Sequence, residues 1–328
     1  MDLAVLTRYR VQITDALAAS LEGEAALRPI LAYHVGLADE RGRPANAVGK
    51  LLRPSLVLFV AQQLGASLER ALPAAVGLEL IHNFSLIHDD IQDGDRTRRG
   101  RPTVWAAWGV NEAINAGDLM QALAVHEALQ SGPVAASLLL NATAAMIEGQ
   151  SMDLGFETRT VALDQYLRMI DGKTGALIVA AFQLGGAVAD ADDATQAVLR
   201  RLGRAVGRAF QIQDDLLGIW GDALVVGKPN ASDIRRRKKS YPTVLAFERA
   251  NGDDRATLQQ IYGQAALTDD DVDWVINLMT RLGIQSDGRI TVQEHLDDAA
   301  QALDELPFST DGRRDLENLM DYLARRDK

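Results

Sequence analysis

Two acidic clusters hold most of the chemistry this sequence could perform. The first is Ile87-His88-Asp89-Asp90-Ile91-Gln92-Asp93 and the second is Phe210-Gln211-Ile212-Gln213-Asp214-Asp215-Leu216-Leu217-Gly218. On a helix, His82, Leu86, Asp89 and Asp93 fall at i, i+4, i+7 and i+11 and share one face. Gln211, Asp214, Asp215 and Gly218 share another, which Asp222 extends if the helix runs on through Gly221. Like charges at i, i+4 cost a helix roughly a few tenths of a kcal/mol, and burying an unpaired carboxylate costs far more. Yet both clusters continue apolar runs, Leu78 to Ile87 and Ala205 to Ile212, as core helices do. A cation in the space between the two faces resolves the conflict. Oxygen ligands with little histidine nearby point to Mg2+, which binds through one or two carboxylates and completes its shell with water and substrate phosphates. A lone DDxxD is common on surface helices; two, each extending an apolar helix, argue against that reading.

Basic groups stand beside the acids. Arg96, Arg98, Arg99 and Arg101 follow the first cluster in a loop containing Gly and Pro. Lys228 follows the second, then Arg235-Arg236-Arg237-Lys238-Lys239, of which Arg235 to Arg237 read as a solvated loop. Gly49-Lys50-Leu51-Leu52-Arg53-Pro54 lies nearer the start. Paired acids with arginine forks alongside suit a diphosphate, with Mg2+ on one group and guanidinium on another.

Composition excludes several alternatives. The 328 residues carry 34 basic against 45 acidic side chains, a net charge of −11, which disfavours a general nucleic-acid binder. The absence of cysteine removes disulfides, thiolate zinc, iron–sulfur clusters and a cysteine nucleophile. The longest apolar run, Ala176 to Ala189, is short of the ~20 residues a spanning helix needs. Met1-Asp2-Leu3 opens no secretion signal, so the expected location is the cytoplasm.

The elements that must position these residues read as helices. Val272, Val275, Ile276 and Met279 fall at helical spacing behind a cap formed by Thr268 and Asp271; Leu316, Leu319, Met320 and Leu323 repeat the spacing, as do Val206, Ala209, Phe210, Gln213 and Leu217. Ser55 to Leu64 and Ala176 to Leu184 are apolar nearly all round, as in helices inside a bundle. Loops are expected at Arg41–Pro44, Gly94–Pro102, Ser131–Pro133, Gly221–Asn230 and Asn251–Asp254. Alternating strand patterns are hard to find, and no linker divides the chain. The expectation is one all-α domain over 1–328, a large helix bundle.

The motifs resemble those of the trans-isoprenyl diphosphate synthases, the polyprenyl synthetase family. The likeness runs through Gly49-Lys50-x-x-Arg53-Pro54, Glu79-Leu80-Ile81-His82, Asp89-Asp90-x-x-Asp93 and Arg98-Arg99-Gly100-x-Pro102-Thr103. It continues with Ala116-Gly117-Asp118, Glu148-Gly149-Gln150, Lys173-Thr174, Phe210-Gln211-x-x-Asp214-Asp215, Gly227-Lys228-Pro229 and Lys238-x-x-x-Pro242. It spans roughly residues 45 to 245 in order.

The resemblance implies a single-domain all-α bundle of the isoprenoid synthase type, with the acidic motifs facing each other across a central cavity, and a homodimer. It implies that Asp89 and Asp93 hold two Mg2+ ions and Asp214 a third, with Asp90 and Asp215 in support. Arg98, Lys173, Gln211, Lys228 and Lys238 would grip an allylic diphosphate; Lys50, Arg53, His82 and Arg99 would bind isopentenyl diphosphate; Lys173 and Thr174 would flank the ionising bond. Phe84 and its small neighbour Ser85, a turn before the first motif, resemble the floor of the elongation tunnel in enzymes making geranylgeranyl or farnesyl diphosphate. The sequence departs from the family at Gly218, where a third Asp is usual, and at Val48–Arg53, which has one glycine and one basic residue fewer. Two other functions fit the same fold. A class I terpene cyclase needs no second diphosphate pocket, but Lys50, Arg53, His82 and Arg99 are kept and NxxSxxxE is absent. A non-catalytic subunit of a heteromeric synthase would explain Gly218, but not the intact Asp89, Asp93, Asp214, Lys173 and Gln211. His34, His126 and His295 read as surface or satisfied core residues, and Trp105, Trp108 and Trp220 as packing groups.

Overall fold

The computed structural model describes residues 3–156, 159–221 and 231–324. Asp222 and Lys228 therefore lie outside the described residues. Almost all regular structure is helical, as the spacing implies. The chain folds into two compact units. One comprises Met1–Thr143, Ala180–Arg200 and Leu306–Asp315; the other comprises Ala144–Val179, Arg201–Glu305 and Leu316–Lys328.

In the first unit, α1 (Ala4–Arg8), α2 (Arg10–Ser20) and α3 (Arg28–Val35) precede the long elements. Helix α4 (Leu52–Gln63) is buried from Pro54 through Ala61, which explains its apolarity on all sides. Helix α5 (Leu68–Gln92) carries the first acidic motif at its C-terminal end. Pro73 lies inside α5, and Ser131 repairs the ladder there: its hydroxyl accepts from the Ala74 N–H at 3.0 Å and donates to the Arg70 carbonyl at 2.9 Å. After the short α6 (Val104–Trp108), α7 (Val110–Gln130) approaches α5 so closely that a Cβ on Gly77 would meet the Ala124 carbonyl oxygen at 2.8 Å. Small residues at 113, 116, 117, 124 and 128 line the α7 side of this unit's core.

Two loop expectations need correction. Within Gly94–Pro102 the chain forms a short hairpin, β1 (Thr97–Arg98) against β2 (Arg101–Pro102). Its two-residue turn, Arg99-Gly100, has positive φ at both positions (52° and 73°), the twist that suits a tight hairpin. Asn251–Asp254 is not all loop either: Gly252 to Asp254 form the first turn of a helix, where Asp253 and Asp254 favour the positive end of the dipole.

The chain continues through α8 (Pro133–Phe156), α9 (Leu163–Ile170), α10 (Ala176–Val188) and α11 (Asp193–Trp220). A single π-helical turn, Asp171–Gly175, joins α9 to α10. Then follow α12 (Ser232–Arg235), α13 (Tyr241–Arg249), α14 (Gly252–Tyr262), α15 (Asp269–Arg281), α16 (Ile284–Asp304) and α17 (Thr310–Ala324). Thr268 caps α15 as its spacing requires: its hydroxyl accepts from Asp271 N–H at 3.2 Å, and Asp271 accepts from Thr268 N–H at 2.9 Å.

Candidate active site

In the first unit the acids of the first motif divide by environment. Asp90 is buried and accepts from Arg98 at 2.8 Å, whereas Asp93 is exposed and Asp89 half-buried. Burial raises the Asp90 carboxyl above its ordinary range, with the Arg98 guanidinium opposing it. The hairpin aims its arginines at different targets. Arg98 meets Asp90, while Arg99 lies against Gly49, where a Cβ would be 3.0 Å from its guanidinium nitrogens. Arg101 stacks 3.9 Å above the Tyr33 ring and donates to the Ala38 carbonyl at 2.9 Å.

The basic segment meets a helix start. Leu51 takes a left-handed conformation (φ 55°) and α4 begins immediately after it, so Lys50 and Arg53 flank a helix N-terminus, an electropositive end. Glu79 is buried and receives Asn83 Nδ2 at 3.0 Å; burial raises its carboxyl, and the Arg53 charge opposes that rise. His82 is held neutral, well below its usual value, first by burial and then by Arg53 and Arg99. A cavity of about 130 Å³ opens beside these groups, lined by Tyr33, His34, Asp90, Arg98, Arg99 and Arg101 among others. Burial and the arginines push the His34 pKa down to about 3, a hydrogen bond with the Asn83 backbone opposing them, and its Nε2 has no partner among the described residues. Phe84 is buried in α5 with its ring edge on His88, and Ser85 donates back to the His82 carbonyl at 2.8 Å.

The second unit builds a different set. Asp215 is buried and receives the Tyr166 hydroxyl at 2.6 Å, the Tyr241 N–H at 2.8 Å and Gln211 Nε2 at 2.9 Å, with Lys238 at 3.4 Å. Asp214 next to it is exposed. The Thr174 hydroxyl donates to Gln211 Oε1 at 2.6 Å, so Thr174, Gln211 and Asp215 form one hydrogen-bonded chain. Lys173 pairs with Asp153. Burial works against the Lys238 ammonium, but Asp215, Asp233, Asp153 and Asp214 outweigh it and raise its pKa. Lys238 thus sits with Asp215 and Asp233, while Arg235 pairs with Asp269 at 2.8 Å.

Gly218 has a local reason. A Cβ there would lie 2.5 Å from Asp233 Oδ2, so the position leaves room for a neighbouring carboxylate. Sequence reasoning missed Asp153, Tyr166, Asp233 and Tyr241, which hold the candidate side chains Lys173, Asp215 and Lys238. Their positions along the chain carry no spacing that ties them to the acidic motifs.

Among the described residues, no three His, Cys, Asp or Glu side chains close on a point fit to hold a metal. Mg2+ does not require such a cage, since one or two carboxylates suffice when water and phosphate complete the shell. The candidate donor set fits it: the side chains on offer are carboxylates, and the buried Oδ2 of Asp90 has no partner among the described residues.

The polyprenyl synthetase family model matches residues 43–279. The chain belongs to the polyprenyl synthetase family. It is 45% identical over 263 residues to the (2E,6E)-farnesyl diphosphate synthase of Mycobacterium tuberculosis H37Rv, covering 77% of this chain and 73% of that protein. It is 38% identical over 317 residues to the geranylgeranyl diphosphate synthase of the same organism, covering 94% and 90%. The crystal structure of a polyprenyl synthetase from Streptomyces coelicolor A3(2) matches with a TM-score of 0.90 at 35% identity over 98% of both chains. The all-α expectation is thus met by a polyprenyl synthetase fold.

Proposed function

We propose that this polyprenyl synthetase condenses isopentenyl diphosphate with an allylic diphosphate, giving geranylgeranyl or farnesyl diphosphate. The observation that carries the reading is that one chain holds two separately built sets of phosphate-directed groups. Arg53, His82 and Arg99 gather at the start of α4; Lys173, Thr174, Gln211 and Lys238 gather around Asp214 and Asp215. A terpene cyclase has no use for the first set and a non-catalytic subunit has no use for either.

Asp89 and Asp93 would hold two Mg2+ ions and Asp214 a third, with Asp90 and Asp215 fixed as supports by their own hydrogen bonds. Mg2+, when bound, neutralises charge on the leaving diphosphate and so lets the allylic C–O bond break. Arg98, Lys173, Gln211 and Lys238, with Lys228 beyond the described residues, supply the remaining positive and polar contacts to that group. Lys50, Arg53, His82 and Arg99 would hold isopentenyl diphosphate. The new C–C bond forms from the alkene electron pair, and the proton lost from the adjacent carbon passes to the released diphosphate. No dedicated protein base is then needed. Phe84, with Ser85 beside it, stops the growing chain.

The reading includes a homodimer, supported by exposed Val110, Ile114 and Leu140 on α7 and α8, and a cytoplasmic location. No helix among the described residues is long and apolar enough to cross a membrane. The test is incubation with Mg2+, isopentenyl diphosphate and a set of allylic diphosphates, followed by product mass. Lengthened diphosphates support the proposal, while a hydrocarbon from the allylic substrate alone, or no turnover, contradicts it.

A further inference from the structure

The π-helical turn Asp171–Gly175 presents Lys173 and Thr174, and its surroundings are unusual. It lies against backbone on two sides. A Cβ on Gly149 of α8 would overlap the Lys173 backbone nitrogen, one on Gly172 would stand 2.8 Å from the Ala145 carbonyl oxygen, and one on Gly207 of α11 would stand 3.1 Å from Gly175 Cα. These approaches bring the turn close to both helices. Such packing sets distance, and orientation comes from directional bonds.

A salt-bridge fork supplies that direction. Arg204 donates to Asp171 Oδ2 through Nη2 at 2.6 Å and through Nε at 3.2 Å. Arg208 donates through Nε to Oδ1 at 2.7 Å and through Nη2 to Oδ2 at 2.8 Å. Paired guanidinium donors set angle as well as distance. Burial alone would raise the Asp171 carboxyl, but Arg208 and Arg204 hold it below the ordinary range. Residues 204, 208, 211 and 215 fall at i, i+4, i+7 and i+11 on α11, one face. The helix face that grips Asp171 therefore also carries Gln211, which receives Thr174, and Asp215, which receives Gln211.

We propose that Asp171, clamped by Arg204 and Arg208, is a positioning residue that sets the register of Lys173 and Thr174 against Gln211 and Asp215. The proposal deepens the elongation reading above and rests on it. Asp171 itself touches no substrate. It acts by placing the side chains two and three positions further on, where a displacement of about 1 Å can cost ~100-fold in rate.

The experiment compares wild type, Asp171→Asn and Arg208→Lys in three readouts: kcat and KM for each diphosphate, thermal midpoint, and amide hydrogen exchange across 171–177. Asp171→Asn is expected to lower kcat about tenfold, or ~1.4 kcal/mol in barrier, while KM for isopentenyl diphosphate stays within about twofold. Exchange across 171–175 is expected to accelerate. Arg208→Lys keeps the charge but loses the fork, and should fall between the two. Should Asp171→Asn fail to fold, Arg208→Lys decides alone. A kcat within twofold of wild type, or a loss that vanishes when rates are expressed per correctly folded site, overturns the proposal. Wild-type protein that makes no product overturns the elongation reading instead, and exchange at 171–175 still decides whether the carboxylate holds the turn.

Discussion

The Tyr166 hydroxyl donates to the Asp215 carboxylate at 2.6 Å, both groups lying in the interior of their unit. This bond sorts the two neighbouring acids of the second motif. Asp215 is committed to protein partners, and Asp214, exposed beside it, is the acid to which the proposed function gives a metal. Burial and the adjacent carboxylate raise the Tyr166 phenol well above its ordinary value, so it remains a donor throughout the working pH range.

Tyr166→Phe is expected to lower unfolding stability by roughly 1.5–3 kcal/mol, the usual cost of losing a hydrogen bond to a charged group. Denaturant titration with an unchanged slope would show it. By contrast, Asp214→Asn should leave stability within about 0.5 kcal/mol, as for an exposed site, while turnover falls steeply.

Gly218 makes a second prediction. Asp233 Oδ2 occupies the space a Cβ would need there. Gly218→Asp should therefore destabilise by about 1–3 kcal/mol through overpacking and like-charge contact. A thermal midpoint at or above wild type would show that Asp233 is not held there.

The contrast between Asp214 and Tyr166 also shows what the chain reveals before folding. Helical spacing around Val272–Met279, the cap at Thr268 and the apolar run from Ser55, buried as far as Ala61, are legible because periodicity reports which face meets a core. The acidic motifs are legible because charge following an apolar run is costly without a ligand. Tyr166, Asp153 and Tyr241 are not, since a supporting partner is defined by tertiary contact and leaves no local signature. The hairpin at 97–102 reads as loop because four strand residues are too few to show alternation, although Arg99-Gly100 marks its turn.

Phe84 is buried in α5 one turn before the first motif. Phe84→Ala should lengthen the product by one or more isoprene units, read from diphosphate mass. An unchanged product spectrum would remove Phe84 from the control of length.

Stability should depend on pH through His34. Its pKa lies at about 3 in the folded protein against 6.5 for the free side chain, so the unfolded chain binds more protons between those values. Its contribution is intact above 6.5 and is lost as pH falls toward 3, at up to about 1.4 kcal/mol per pH unit. His34→Asn should flatten the stability profile in that window. A profile unchanged by the substitution would mean that His34 protonates as readily folded as unfolded.

The most direct test of the metal-assisted mechanism is Mg2+-dependent elongation of an allylic diphosphate by wild type, Asp89→Ala and Asp214→Ala, with folding checked by circular dichroism. The expected result is a longer diphosphate from wild type, with turnover lower by orders of magnitude in each variant at unchanged helicity. Near-normal elongation by either variant would contradict the assignment of these aspartates to the metals that draw off the leaving diphosphate.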